Sequence, residues 1–526
     1  MANIILCGGI SWTTVLLRPV GTYQLANVLR DNGYTVQVID NFPYIANRGV
    51  DVVKQIFDKF VTSDTLWIGF SSTWFTRINE MLAAKQQPTN EKTTPIKNTS
   101  AGFVYKDTQT FLDNTFLFNE DEVRELKEFV YSKNKNCKFV LGGGRAPLGR
   151  IGARPGFIDC YIEGYADGTV LEYTKYLEGK NKFLPIVNNP DGSISITHDH
   201  KASTFDYKNH KFTWHETDLV REREVLPMEI ARGCIFQCSF CAYPLNGRKK
   251  LDYLKNPDIL KDQLEENYDR FKTTDYFFLD DTFNDSVEKL EILNTQVFSK
   301  LKFKINFVSY MRLDLINAHR ESIDLLKDMG CGGMMFGIES LNTDSLKSIG
   351  KGITKDKIRD TLSLIKQKIP EALIDSQFIV GLPHESEESV KSWIEEVCDP
   401  SYPLDYVRIH GLSMNYNKMY NNIWQSDFEK YPEKYGYTFI DNNRSNWVNN
   451  KGMTSSRAWK ICEEMQSVIK QKEGMSWLVK YGLKNMGASD HQIETMNNGQ
   501  LFRLGTELRK QSTSDYIQQL LNYKIQ

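Results

Sequence analysis

No apolar run in this 526-residue chain is long enough to cross a bilayer, which takes roughly 20 residues as a helix. No charge excess exists either, because 65 Lys and Arg stand against 67 Asp and Glu, a formal net charge of -2. Without a basic surplus there is no clear electrostatic signal for nucleic acid. Cysteines number nine, odd and without framework spacing, which argues against a secreted disulfide scaffold. The opening Met1–Cys7 lacks a basic region and a cleavage site and reads as a buried first strand. A cytoplasmic protein with no membrane partner is the expectation. Histidine is missing until His198, so the first third of the chain offers no imidazole to a metal.

What the chain does have is three thiols within eight residues. Cys234, Cys238 and Cys241 are spaced C-x3-C-x2-C, and a short loop with that spacing can turn all three sulfurs toward one point. Thiolates are soft ligands that favour iron–sulfur clusters, zinc or copper(I). A structural zinc site closes with four protein ligands, often as two C-x2-C pairs, and no second pair is present. Three cysteines on a [4Fe–4S] cluster leave one iron without a protein ligand, open to a substrate. A zinc knuckle, or three unrelated core cysteines, is the plainer alternative. The remaining six cysteines are scattered singly, which argues against chance clustering.

The triple, with aromatic Phe240 before its last cysteine, resembles the signature of the radical S-adenosylmethionine (SAM) enzymes. The resemblance implies that Cys234, Cys238 and Cys241 hold a [4Fe–4S] cluster. It also implies that the open iron chelates SAM and that one electron cleaves SAM to a 5′-deoxyadenosyl radical. An electron donor such as flavodoxin or ferredoxin follows as a partner, beside an unknown substrate.

Length calls for roughly two to four domains. The expected fold is α/β: a Rossmann-like parallel sheet over 1–185, a connector with a hairpin over 186–225, a (β/α) partial barrel over 226–400, and a mainly helical cap or substrate domain over 401–526. Strands are expected at 3–7, 34–40, 65–71, 138–141 and 159–163, with helices between them and a surface insertion at 86–113. The turn Asn188-Asn189-Pro190-Asp191-Gly192 predicts the hairpin. His198, His200, His210 and His215 are irregularly spaced and read as loop histidines rather than a metal site.

In the barrel, Asp280, Asp281, Arg312, Glu339 and Ser340 each follow an apolar strand, which gathers them around one mouth beside the cysteines. Carboxylates suit the ammonium and ribose hydroxyls of SAM, and a guanidinium suits its carboxylate. Each residue alone could equally be a helix cap or a structural ion pair. The family resemblance extends to these strand ends, with Gly337-Ile338-Glu339-Ser340 similar to a ribose contact and Phe378–Pro383 to a motif near the adenine. Glu385 departs from that pattern and receives no role, and His384 is either a proton shuttle or a loop histidine.

The first domain is similar to the cobalamin-binding domains fused to radical SAM enzymes. The resemblance rests on Arg18-Pro19-Val20-Gly21, Asp40, Gly69–Ser72, Gly142-Gly143-Gly144 and Glu163-Gly164. It implies cobalamin, contacted by Pro19, Gly21, Ser71, Ser72, Gly142, Gly143 and Gly144, without a histidine on cobalt because the D-x-H-x-x-G motif is absent. A domain that kept the fold and lost the cofactor is the alternative. With cobalamin, methyl transfer to an unactivated centre follows; without it, an isomerase, cyclase or oxidoreductase. Methylthiolation is disfavoured because no second cysteine triple is present. The reading from another class is a non-catalytic metal-cluster binding module. Beyond residue 400 the chain is rich in tyrosine and shows no motif, with helices expected at 455–472 and 513–523.

Overall fold

The computed structural model describes residues 2–9, 16–71, 96–99, 102–104, 120–143, 157–181, 184–197, 205–243, 245–414, 425–440, 446–472 and 474–523. Ser72, Gly144, His198, His200 and most of the 86–113 insertion lie outside these residues.

The first sheet begins with β1 (Ile4–Cys7), β2 (Val36–Ile39) and β3 (Trp67–Ser71). A separate hairpin of β4 (Ile96–Thr99) and β5 (Gly102–Val104) follows, then β6 (Lys138–Gly142) and β7 (Cys160–Glu163). These strands are short apolar runs, and β1, β2 and β7 are buried along their whole length. Such runs suit a parallel sheet covered on both faces. Helix Val20–Asp31 packs on one face, and Gly33 at φ 86° turns the chain into β2.

The predicted hairpin forms as β8 (Ile186–Asn188) and β9 (Ile194–Thr197), joined antiparallel. β9 pairs in parallel with β7, so the hairpin is the edge of the first sheet, in the order β2-β1-β3-β6-β7-β9-β8. Turn chemistry in the sequence defines the hairpin but carries no signal for its partner strand.

The second sheet holds β10 (Leu226–Glu229), β11 (Asp275–Leu279), β12 (Asn306–Met311), β13 (Cys331–Glu339), β14 (Leu373–Val380) and β15 (Tyr406–Gly411). All pair in parallel in sequence order, with helices between, as in a partial barrel. Helix Trp477–Asn485 closes its floor. Trp477, Leu478 and Tyr481 pack with Phe277, Val308 and Met335, which project from three of the strands. Leu17 of the first domain joins this cluster. Asn485 clamps the seam, accepting from Val225 N at 2.8 Å and donating to Val225 O at 3.0 Å and Leu16 O at 2.9 Å.

Beyond residue 400 the structure divides. Helices Ser455–Glu464 and Gln466–Gln471 lie against the barrel, where Tyr402, Tyr437 and Trp447 are core residues. The last helix, Asn498–Asn522, instead returns to the first domain. Its Leu520 joins the Ile56 and Phe57 core, Tyr516 OH accepts from Asp40 N at 3.1 Å, and Arg509 donates to Asn41 Oδ1 at 3.0 Å.

The floor helix also fixes a titratable group. Ser476 caps the helix and donates to Asp375 Oδ2 at 2.7 Å, while Asp375 Oδ1 has no hydrogen-bond partner. Burial pushes the Asp375 carboxyl up to about 7. A folded value raised above the unfolded one gives stability that is full below about pH 4 and lost as pH rises through 7. The thermal midpoint of the wild type is therefore expected to fall from pH 4 to pH 8 more steeply than that of Asp375→Asn, measured by calorimetry across that range. Parallel slopes for the two proteins would refute it.

Candidate functional site

The cysteine loop leaves β10 at its carboxyl end. Gly233 has φ 133°, and a Cβ there would stand 2.8 Å from Arg248 Cγ and 3.2 Å from Leu245 O, so the turn requires glycine. Backbone bonds fasten the loop: Cys234 N to Leu245 O at 3.1 Å, Arg248 N to Cys234 O at 2.9 Å, and Cys241 N to Cys238 O at 2.9 Å. Cys234, Cys238 and Cys241 are free and half-buried, whereas the other six cysteines are free and buried. Burial raises the Cys234 and Cys241 thiols above their usual range, with the charge of Cys238 adding to it. Thiolates there need a positive partner. Arg312 supplies one, with Nη1 3.2 Å from Cys238 Sγ and its guanidinium 4.0 Å from the Phe236 ring centre.

Among the described residues no three His, Cys, Asp or Glu side chains converge as a single-ion site. Three soft, free, half-buried donors on one loop fit a cluster, whose metal atoms are spread over several positions, better than one zinc ion.

The strand-end residues divide into two kinds. Asp280 is buried and committed inward, with Oδ2 2.7 Å from Lys289 Nζ and Oδ1 accepting from Thr282 N at 3.0 Å. Lys289 is itself enclosed and also pairs with Asp285 at 3.1 Å. Ser340 donates to Glu385 Oε1 at 2.6 Å. Glu385 is fully buried and accepts from Gly381 N at 2.9 Å, Leu382 N at 3.1 Å and Trp393 Nε1 at 3.3 Å, which makes it the brace of the loop after β14. Burial holds its carboxyl up at about 7. The sequence offers no signal for this brace, because its serine partner, Ser340, lies 45 residues away at the end of another strand.

Asp281 belongs to the cysteine loop's surroundings. It accepts from Gly233 N at 3.2 Å and from the Tyr243 hydroxyl, and burial beside Asp280 pushes its carboxyl up to about 6. Arg312 forks onto Asp314 at 3.0 and 2.6 Å and donates to Gly350 O at 2.9 Å, besides its contact with Cys238. Glu339 sits at φ 72°, where β13 slips register against β14, with Lys351 Nζ 3.8 Å away. A non-glycine residue held in that region is strained, and such strain clusters at functional sites. Phe240 packs on the core beside the loop. His384 is tied to Asn450 on the exterior, His210 to Asp31 at 3.0 Å, and His215 caps a short helical turn, so none of the three joins a metal-type cluster.

The carboxyl edges of the two sheets face one cavity of about 480 Å³. Pro19, Gly21, Ser71, Gly142 and Gly143 line it from the first domain. An added Cβ at Gly21 meets nothing within 4 Å, and at Gly142 only Ile162 O at 3.9 Å, so these backbones leave room for a close-lying ligand. Asp40 is not among the lining residues. It is buried against Tyr23 OH at 2.9 Å, and Arg18 beside it is fixed to Glu224 at 2.8 Å. From the barrel side the lining includes Glu229, Arg232, Tyr310, Met335 and Arg408. The walls are predominantly apolar, with a few placed polar groups, as in pockets for small molecules and cofactors.

Residues 228–397 match the model of the radical SAM superfamily, and this chain carries a radical SAM domain, which implies a [4Fe–4S] cluster and SAM. The chain is similar to an uncharacterized methyltransferase from Pyrococcus horikoshii, 29% identical over 31% of this chain and 35% of that protein. It is also similar to the ribosomal protein uS12 methylthiotransferase of Dictyoglomus thermophilum, 24% identical over 58% of this chain and 66% of the relative. It thus spans from about a third to two thirds of the length of these curated relatives. In fold it resembles the radical SAM methyltransferase TsrM of Kitasatospora setae, solved with tryptophan substrate and a SAM analogue. The TM-score is 0.57 at 13% identity, covering 98% of both chains. The cobalamin-dependent enzyme OxsB gives 0.52 at 14% identity, over 98% of this chain and 71% of that one.

The enclosed Lys289 is a sharp test of which acid is structural. Lys289→Ala leaves Asp280 and Asp285 without compensation and is expected to cost about 3–5 kcal/mol, read as a lowered denaturation midpoint. A midpoint equal to the wild type would return Asp280 to the pool of ligand-binding acids.

Proposed function

We propose that the chain is a radical SAM enzyme that uses cobalamin to transfer a methyl group to an unactivated centre. The observation that carries the reading is a cavity shared by the glycine-rich strand ends of the first domain and by Glu229, Arg232, Leu279 and Tyr310 of the barrel, whose Arg232 precedes the cysteine loop, although the three cysteines themselves do not line it. TsrM solved with cobalamin and a [4Fe–4S] cluster, and OxsB solved with aqua-cobalamin and SAM, resemble the chain in fold. When bound, the cluster supplies an electron to SAM and cobalamin supplies a methyl carrier.

Each residue set has a task in this reading. Cys234, Cys238 and Cys241 hold the cluster, with Arg312 offsetting thiolate charge at Cys238. Asp281 and Glu339 orient the ammonium and ribose of SAM, and Arg312 stands near for its carboxylate. Asp280 and Ser340 brace the loops that carry them. Pro19, Gly21, Ser71, Gly142 and Gly143 offer backbone and small side chains to the corrin, with no histidine available to cobalt from this domain. Phe277, Leu279 and Met335 keep the barrel side dry, and the floor helix closes the opposite end, which protects a radical from water. A flavodoxin or ferredoxin is the natural reductant. The six other cysteines are buried and scattered singly along the sequence, with no second triple, which favours methyl over methylthio transfer.

Anaerobic reconstitution with iron, sulfide and hydroxocobalamin tests the reading. The expected result is a brown protein that retains cobalamin through desalting. With SAM and dithionite it yields 5′-deoxyadenosine and, once a methyl acceptor is found, S-adenosylhomocysteine. Cys238→Ala should abolish cleavage, and cleavage that persists would sink the cluster assignment. Cluster and deoxyadenosine without retained cobalamin would instead point to an isomerase, cyclase or oxidoreductase. Gly142→Val, whose side chain enters open space, should weaken cobalamin retention at least tenfold, about 1.4 kcal/mol. Unchanged retention would remove this wall from the site.

A further inference from the structure

The segment after β7 grips the cysteine loop at both of its ends. Gly164, at φ 86°, turns the chain out of the first sheet, and the next residues lie on the barrel. Asp167 Oδ2 accepts from Arg232 Nη1 at 2.8 Å, and Tyr165 OH donates to Tyr243 OH at 2.9 Å. Arg232 stands two residues before Cys234, and Tyr243 two residues after Cys241. Two side chains from one short segment of the first domain therefore bracket the whole ligand triplet.

The bracket is enclosed. The Asp167 and Arg232 side chains are 7% and 13% exposed. Arg232 also takes Glu229 in a fork, Nε to Oε1 at 3.1 Å and Nη2 to Oε2 at 2.8 Å. Its guanidinium lies 4.5 Å from the Tyr207 ring centre and 5.5 Å from that of Tyr165. On the other flank Tyr243 bonds Asp281, which accepts from Gly233 N, so the tyrosine pair reaches the start of the loop as well.

Charge arithmetic separates this from ordinary surface pairing. Glu229 alone neutralises Arg232. Asp167 is a second carboxylate on the same guanidinium, and burying it costs desolvation that one-to-one pairing would avoid. The buried Lys255 ammonium, over the same Tyr207 ring as Arg232, offsets that second carboxylate, so two cations face two carboxylates beside the cysteines, and a neutral residue at position 167 would leave one positive charge uncompensated there.

We infer that Tyr165 and Asp167 are positioning residues through which the first domain holds the cysteine loop and sets the electrostatic environment of the group it binds. The inference rests on the cluster reading of the loop but not on cobalamin.

The test uses the full chain, reconstituted anaerobically, as wild type, Asp167→Asn, Asp167→Glu and Tyr165→Phe. Iron and sulfide content, the electron paramagnetic resonance spectrum of the dithionite-reduced protein and its midpoint potential are measured. Asp167→Asn removes one negative charge, so the potential should move to more positive values and the resonance line shape should change at unchanged iron content. Asp167→Glu should restore both toward wild type. Tyr165→Phe, which changes no charge, should alter the line shape with little shift in potential. Should Asp167→Asn lose the cluster, a cluster-bearing Asp167→Glu with wild-type potential would still support the inference. An Asp167→Asn protein with wild-type line shape and potential would overturn it, as would loss of the cluster in both Asp167 variants. A wild-type chain that takes up no [4Fe–4S] cluster would overturn the functional reading and this inference together.

Discussion

Parallel pairing sends the carboxyl end of every strand to one edge of a sheet, and this chain turns two such edges toward each other. That constraint places everything else. Loops that leave the strands at these edges are where backbone can approach a ligand and where polar side chains can reach one. The cysteine loop, the Asp280–Asp281 turn, Arg312 and Glu339 all stand on the barrel's edge. Pro19, Ser71, Gly142 and Gly143 stand on the opposing one. The seam between them is held by buried polar joints, with Arg18 on Glu224, Asn485 on Val225 and Leu16, and Arg232 on Asp167. Each joint crosses between parts of the chain distant in sequence, so the cavity exists only when the whole chain is assembled.

Much of this was legible because it is local. The apolar strand runs and the Asn-Pro-Asp-Gly turn are short-range patterns, and the strands and the hairpin formed where the residues predict; the C-x3-C-x2-C spacing is equally local and lies just after the carboxyl end of β10. Which sheet a strand joins is not a local property. The hairpin β8–β9 completes the first sheet through a parallel pairing with β7, which its own turn residues cannot encode. The final helix is the larger case. Its pattern marks a helix, but nothing in it says that Leu520 and Tyr516 seek Phe57 and Asp40, more than 450 residues earlier in the chain.

The site was legible in residue type and less so in role. Asp280 and Asp281 are adjacent and chemically identical, and the sequence cannot rank them. Lys289 does so by geometry. It is enclosed, it lies 2.7 Å from Asp280, and a buried ammonium holds its carboxylates tightly because leaving either unpaired is expensive. Asp281 has no such cation at contact, keeps a raised carboxyl pKa, and bonds the loop that carries the cysteines. Ser340 and Glu385 show the same sorting. A serine at a strand end was read as facing a ligand, while the acid left without a role proves to be its partner.

Glu339 resists that sorting and for that reason says most about the site. Its carboxyl is buried, and Lys351 stands at 3.8 Å, beyond hydrogen-bonding distance. Its backbone is left-handed at a register slip, a conformation that costs of order 1–3 kcal/mol in a non-glycine residue. Its carboxylate, with one lysine beyond hydrogen-bonding distance, therefore keeps acceptor capacity for a further polar partner at the end of β13. The strain thus points toward the mouth of the barrel, where the cysteine loop also points.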